Sequence, residues 1–341
     1  VIVMLKVGIL GFGFMGRMHY RCWREVDGAE VVAICEADAR AFQDTSRGNI
    51  AGASDAIDLE GVRRYAELSE MLREERLDAV SITVPTFLHR QCTLEALAAG
   101  AHVLCEKPMA VSLPEGRQMI EAAERAGRVL QIGHCIRFWP EYARVKEILD
   151  SGVYGRLLAA SFQRLAATAA KQPGSWFMNE ELSGGVALDL HIHDTDFVQY
   201  VFGMPRAVQS WGVTAPGGGL LHLTTRYRYD DPRLVTAEGG WAMMPSYPFQ
   251  MRFHMILQRA TIEYDLHATP TLRVCPAEGE VIVPECAAGD GYSQQIAHFA
   301  RRVRGENVPA VIGAEDAWNS LRIVAAERES VRLGREVCIE G

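Results

Sequence analysis

The chain has 341 residues, 48% of them hydrophobic and 23% charged, with a formal net charge of −8. That length suits two domains better than one, the composition excludes a disordered or fibrous chain, and the negative balance argues against a nucleic-acid partner, which needs excess Lys and Arg. No apolar run reaches the roughly 18–20 residues of a membrane helix, so no membrane partner is expected.

The opening VIVMLKVGIL lacks a basic leader and a small-residue cleavage site, so it reads as a first strand and not as a signal peptide. From there to about residue 132 short apolar strands (KVGIL, EVVAIC, AVSITV, HVLCE, RVLQIG) alternate with helical stretches near 14–26, 37–46, 67–75, 87–99 and 113–126. Nearly continuous apolar strands separated by helices are the rhythm of a doubly wound parallel sheet covered on both faces. Beyond about 135 the period changes to two. In LLHLTTRYRYD, Leu221, Leu223, Thr225, Tyr227 and Tyr229 fall on one face, and in FQMRFHMIL so do Phe249, Met251, Phe253, Met255 and Leu257. Helical stretches near 141–150, 186–203, 292–304 and 314–332 complete this half.

The fold expected is an α/β N-terminal Rossmann domain over 1–135, followed by an α+β domain over 136–341 with a large, mainly antiparallel, open-faced sheet. The closing helix near 314–332 can pack back on the first domain. The open sheet face is a natural surface for a homodimer or homotetramer. Eight cysteines without a C-x-x-C pair, mostly inside apolar strings, read as buried reduced thiols, for which the cytoplasm is the fitting compartment.

Three stretches carry chemistry. LGFGFMGRMH places Gly11, Phe12, Gly13, Phe14, Met15 and Gly16 between a strand and a helix. A G-x-G-x-x-G turn there lets the backbone approach a pyrophosphate, whose charge meets the N–H groups of the helix start. Glu36 lies 25 residues past Gly11, near the end of the second strand, where an acidic residue takes the ribose hydroxyls. Its carboxylate would repel the extra phosphate of NADP by about 1 kcal/mol in water-like surroundings and about 4 kcal/mol at an effective dielectric of 20. NAD is therefore preferred over NADP, with Arg40 four residues on able to offset part of the repulsion. HVLCEKPMA ends a strand at Glu106, Lys107 and Pro108, where ligands sit in open parallel sheets. Read as a helix, SGGVALDLHIHDTDFVQYVFG stacks Asp189 and His193 at i, i+4 and turns His191 roughly the other way. A carboxylate one turn from an imidazole is acid–base equipment.

Together VGILGFGFMGRMH, VSITVPTFLH, AGAHVLCEKP and GGVALDLHIHDTD resemble, in order, the glucose-fructose oxidoreductase/inositol dehydrogenase/rhizopine-catabolism (Gfo/Idh/MocA) family, with AWNSLRIVAAERESVRLGREV similar to its closing helix. The resemblance implies an NAD(P)-dependent dehydrogenase acting on a secondary hydroxyl of a sugar, inositol or related polyol. Lys107 would be the catalytic lysine and Glu106 would lie near the nicotinamide. Asp189 and His193 would be in the substrate pocket, Pro85, Thr86 and His89 near the cofactor, and Arg137 turned toward substrate. Threonine at 86 and histidine at 191 depart from the residues many relatives carry, asparagine and glycine, and leave the substrate open. Trp176 is a further substrate-contact candidate, with packing beneath its own loop as the alternative.

Oxidising a secondary alcohol needs a base at the hydroxyl, a role open to His193 with Asp189, and a charge to stabilise the developing alkoxide, a role open to Lys107. Three rival readings remain: an NAD-dependent glycosidase working by transient oxidation, a non-catalytic NAD or sugar sensor on the same fold, and a metal-dependent hydrolase with Asp189, His191 and His193 as ligands. The last requires a strand, where all three would share a face. The flanking sequences suit a helix, so no metal is expected.

Overall fold

The structure, a computed structural model, describes residues 4–43, 57–167, 176, 179–215 and 219–339. In chain order the first half carries β1 (Leu5–Leu10), α1 (Phe14–Arg24), β2 (Ala29–Cys35), β3 (Arg63–Tyr65), α2 (Leu68–Glu74), β4 (Ala79–Ile82), α3 (His89–Ala98), β5 (His102–Glu106), α4 (Leu113–Ala126) and β6 (Leu130–Gly133). Then come α5 (Pro140–Ser151), β7 (Leu157–Ala167), α6 (Glu180–Ser183), a π-helical turn (Ala187–His191) and α7 (Ile192–Phe202). The remainder holds β8 (Ala207–Thr214), β9 (Leu220–Arg228), β10 (Leu234–Met243), β11 (Gln250–Leu257), β12 (Ala260–Asp265), β13 (Leu272–Pro276), α8 (Gly291–Val303), α9 (Ala314–Leu333) and β14 (Val337–Cys338).

The chain divides into two compact units, Val1–Phe138 with Gly289–Trp318, and Trp139–Ala288 with Asn319–Gly341. The first unit thus takes back a segment that the expected division at 135/136 assigned wholly to the second half. The reason is packing. α8 inserts Ile296, Phe299 and Ala300 into the core built on Val7, Ile9, Trp23 and Ile34. Trp23 is fully buried, its ring 6.1 Å from that of Phe299, and its indole N–H donates to Ser81 Oγ at 2.8 Å. Burying one such side chain contributes about 1.5–3 kcal/mol. α8 starts sharply because Asp290 accepts from the N–H groups of Tyr292 and Ser293 while the Ser293 hydroxyl receives the Asp290 N–H, a capping box.

The sheet of the first unit is wholly parallel in the order β3-β2-β1-β4-β5-β6. β4, β5 and β6 are buried, save the half-buried His102, as the apolar runs require. The order reverses between β1 and β4, so the crevice for a ligand lies at their carboxyl ends. Of the helical stretch expected over 37–46, the described residues 37–43 contain a 3₁₀ turn, Ala39–Phe42, with Asp38 accepting the Arg40 N–H.

The second unit carries an eight-stranded sheet ordered β13-β12-β11-β7-β10-β9-β8-β14. Its pairings are antiparallel except β7 with β10. The period-two reading appears directly in β11, where Met251, Phe253, Met255 and Leu257 are buried and Arg252, His254 and Ile256 exposed. The covered face meets Tyr142 and Phe197, whose rings lie 4.8 Å apart, with Phe253 and Tyr264 stacked at 5.4 Å.

Candidate active site

In the first unit each glycine of the β1–α1 turn has its own steric reason. Gly11 has φ +87°, and a Cβ there would lie 2.9 Å from the Thr83 carbonyl. At Gly16 a Cβ would sit 2.1 Å from the Gly11 oxygen, so α1 crosses β1 too closely for any side chain. Gly13 differs: a Cβ would meet nothing within 4 Å. Open space over the middle glycine, at an α1 start with no side-chain cap and no acidic residue in its first turn, is what a phosphate needs. Thr83, just past β4, fastens the turn by donating its hydroxyl to the Leu10 and Gly11 carbonyls at 3.0 and 2.8 Å. The Phe12 ring is buried, 5.5 Å from Phe42, so this residue offers only its backbone.

Glu36 follows β2 and faces the same turn. Its two oxygens accept the Phe12 N–H at 2.7 Å and the Asp38 N–H at 2.9 Å. Arg40 does not reach toward Glu36 but grips Asp38 through its Nε–Nη2 edge at 2.7–3.1 Å. The hydrogen bonds from Arg40 hold the Asp38 carboxyl down at about 2.

At the end of β5, Lys107 is the one partly exposed residue among the buried positions 103–110. Its neighbour Glu106 is buried and accepts from His19 at 3.0 Å and from the Lys107 N–H at 3.2 Å. Burial alone would raise the Glu106 pKa; the hydrogen bond and charge of His19, helped by Lys107 and His89, more than reverse this and leave it below the ordinary value. Room for the carboxylate comes from Gly133 in β6, where a Cβ would sit 2.6 Å from Glu106 Oε1. His19 is fully buried on α1; the sequence reading missed it, and nothing local marks a pairing that spans 87 residues.

His89 is a brace. Its Nδ1 lies 2.8 Å from the Pro108 carbonyl and its Nε2 2.9 Å from the Val84 carbonyl, tying the exits of β4 and β5 together. Burial lowers its pKa against the pull of those two carbonyls, and a neutral ring donates to only one of them at a time. Both ring nitrogens are thus engaged by backbone, and the ring supports the two strand exits. Pro85 and the buried Thr86 begin the short turn after β4. Arg137 also departs from expectation: its side chain is 2% exposed, and its guanidinium donates to the Val311 carbonyl at 3.0 Å and lies 3.6 Å from Asp316. Both of these contacts lie inside the first unit. Trp176 accepts the Asn179 N–H through its carbonyl at 3.1 Å, and the residues on both sides of it lie outside the described ones.

In the second unit Asp189 and His193 are the only residues of 183–199 left partly exposed. Asp189 lies within the π-helical turn and His193 at the start of α7. His191 is fully buried on the other side, its Nε2 3.3 Å from Glu327 Oε1. The helical geometry therefore separates the three residues that a metal-ligand reading of DLHIHD would need on one face. The next acid, Asp194, is buried and accepts with both oxygens from the Nε–Nη2 edge of the Arg164 guanidinium at 3.1 and 2.8 Å.

A backbone cradle for an anion at the switch point of a parallel sheet is the arrangement of dinucleotide-binding folds. It is also what an oxidoreductase family with an NAD-binding Rossmann fold requires. The chain belongs to the Gfo/Idh/MocA family: residues 5–134 match its oxidoreductase model with the NAD-binding Rossmann fold, and residues 142–263 match its C-terminal domain model. It is similar to inositol 2-dehydrogenase 2 of Saccharopolyspora erythraea, 27% identical over 98% of this chain and 96% of that protein. It is also similar to D-apiose dehydrogenase of Paraburkholderia graminis, 33% identical over 58% of this chain, and spans about half, 50%, of that protein's length. Among solved structures, levoglucosan dehydrogenase in complex with NADH and levoglucosan shares the fold with a TM-score of 0.83 and 20% identity, over 99% of this chain and 100% of that one.

Proposed function

We propose that the protein is an NAD-dependent dehydrogenase that oxidises a secondary hydroxyl of a sugar, inositol or related polyol, or reduces the matching ketone. One observation carries this reading: in each unit the acid–base side chains are the partly exposed residues of otherwise buried runs, Lys107 in 103–110 and the Asp189/His193 pair in 183–199. Gly11, Gly13 and Gly16 with the start of α1 would hold the pyrophosphate, and Glu36 the adenosine ribose. When bound, the nicotinamide supplies the hydride acceptor or donor. In the first unit Lys107 is the group suited to donate a hydrogen bond to an oxygen as charge develops, and in the second His193, oriented by Asp189, is the one suited to take a proton. The partly buried setting of these groups strengthens both interactions. The dehydrogenase names of the relatives support the substrate class.

Glu36 argues for NAD over NADP, since Arg40, the cation that would welcome a 2′-phosphate, is already bound to Asp38. The open face of the second unit's sheet supports self-association. Ile256, Ala159 and Leu234 lie side by side across β11, β7 and β10, and Trp211 and Val213 on β8 are 56% and 60% exposed.

The test is formation of NADH, followed by absorbance, across a panel of polyols and sugars with NAD or NADP. Turnover with at least one polyol and NAD is expected. Lys107→Ala and His193→Ala should each lower kcat by about two to four decades while NADH still binds. Full activity in either variant removes that residue from the mechanism, and silence of the wild type across the panel, with NADH bound, removes the dehydrogenase reading.

A further inference from the structure

The π-helical turn over Ala187–His191 closes with the Ile192 N–H reaching back five residues to the Ala187 carbonyl. Such a turn carries one residue more than an α-helix allows and weakens the local hydrogen-bond ladder, so it persists only where tertiary contacts hold it. Its geometric effect falls on the two acid–base residues. In a plain α-helix, residues four apart are offset by about 40° around the axis. The extra residue widens the turn and takes up most of that offset, bringing Asp189 closer to directly over His193.

The contacts that hold the turn converge on His191. Its imidazole is fully buried, with Nε2 3.3 Å from Oε1 of Glu327 on α9, itself fully buried. Glu327 also accepts from the Thr195 hydroxyl at 3.1 Å, and Thr195 Oγ lies 3.0 Å from the Tyr227 hydroxyl on β9. From β10, Gly239 presents bare backbone: a Cβ there would lie 2.6 Å from His191 Nδ1 and 2.8 Å from its Cβ. Three elements are thus shaped around one side chain. A buried carboxylate demands partners; Arg164, the arginine of this region, is held by Asp194 through its Nε–Nη2 edge, and His191 meets Glu327 by a close contact without hydrogen-bond geometry.

We infer that His191 and Glu327 are positioning residues, whose contact holds the π-helical turn and thereby aligns Asp189 with His193. The inference rests on the reading that these two residues carry the proton chemistry. Without the contact the turn relaxes toward an α-helix, and Asp189 rotates about the axis away from His193. Misplacement of reacting groups by about 1 Å costs on the order of a hundredfold in rate.

The experiment compares Glu327→Gln, His191→Leu and His191→Gln by steady-state kinetics, NADH binding, and hydrogen exchange of peptides covering 186–194. Glu327→Gln and His191→Leu should lower kcat by about ten- to a hundredfold, with KM and the NADH Kd within about threefold of wild type. Exchange should quicken across 186–194 and stay unchanged elsewhere. His191→Gln, whose amide N–H₂ can take the place of Nε2, should recover most of the activity. Wild-type kcat in both Glu327→Gln and His191→Leu overturns the inference, and so does a loss of activity with exchange over 186–194 unaltered. If those variants fail to fold, Gly239→Ala presses on the imidazole from β10, and the same two readouts decide. Should the wild type turn over no polyol, the functional reading fails on its own; the exchange measurement still reports whether the pair holds the turn.

Discussion

Gly13→Ala separates binding from stability. The new methyl meets no atom within 4 Å, and Gly13 has φ −73°, which alanine adopts freely. Two small effects then oppose each other. Alanine reduces the freedom of the unfolded chain, which stabilises by about 0.4–1 kcal/mol. As a helix N-cap it is somewhat worse than glycine, by a similar amount. The net change should be under about 1 kcal/mol, or a Tm shift of at most about 2–4 °C for a unit of this size. Binding behaves differently, because the methyl fills the space a phosphate must enter. Losing one charge-assisted hydrogen bond costs about 1.5–3 kcal/mol, so the NADH Kd should rise about ten- to a hundredfold. Gly16→Ala is the control: its methyl would lie 2.1 Å from the Gly11 oxygen, and overpacking of that kind costs about 1–3 kcal/mol of stability. Differential scanning calorimetry without ligand and isothermal titration with NADH give both quantities. Undiminished NADH affinity in Gly13→Ala would show that the phosphates do not approach there, and a Tm loss matching that of Gly16→Ala would show that the space is not open.

Arg137→Ala should act on stability. It leaves the partly buried Val311 carbonyl without this donor, a loss of about 1 kcal/mol, and should lower Tm while KM for the substrate stays near wild type; a raised KM at unchanged Tm would support the substrate-facing role. The stability of the first unit should also fall with acid. Burial lowers the pKa of His89, His102 and His298 below the ordinary 6.5, so below that value the unfolded chain binds more protons than the folded one. This contribution is fully present above pH 6.5 and is lost as pH falls toward and through the depressed folded values. For His102 the charge of Arg128 adds to burial against the pull of Asp78, and its Nδ1 accepts from the Val129 N–H at 2.9 Å, a bond that protonation forfeits. Thermal unfolding between pH 8 and 5 should show Tm declining below about 6.5, and His102→Gln should flatten the decline; a Tm constant over that range would refute it.

What was legible in the sequence depended on distance along the chain. Gly11, Gly13 and Gly16 act through backbone sterics within one turn, so their spacing carries the information. The alternation in β11 is equally local, one face buried and apolar and the other exposed with Arg252, His254 and Ile256. The opposed directions of His191 and the Asp189/His193 pair follow from helical periodicity, and the structure has that opposition. The π-helical turn in the same segment is not legible, because it depends on Glu327 and Gly239, which lie far along the chain. The same holds for His19 with Glu106 and for the burial of Arg137 against Val311. The family resemblance supplied roles for His89 and Arg137, but it could not supply what each guanidinium or imidazole nitrogen touches.

The return of Gly289–Trp318 to the first unit has a consequence for biosynthesis. The core around Trp23 lacks Ile296, Phe299 and Ala300 until α8 has been made. Residues 139–288 are translated in between, which at about 5–20 residues per second takes on the order of ten to thirty seconds. For that interval the nascent dinucleotide fold exposes an aromatic surface that only a later piece of the polypeptide can cover, and this nascent stage is where holdase chaperones would find their client.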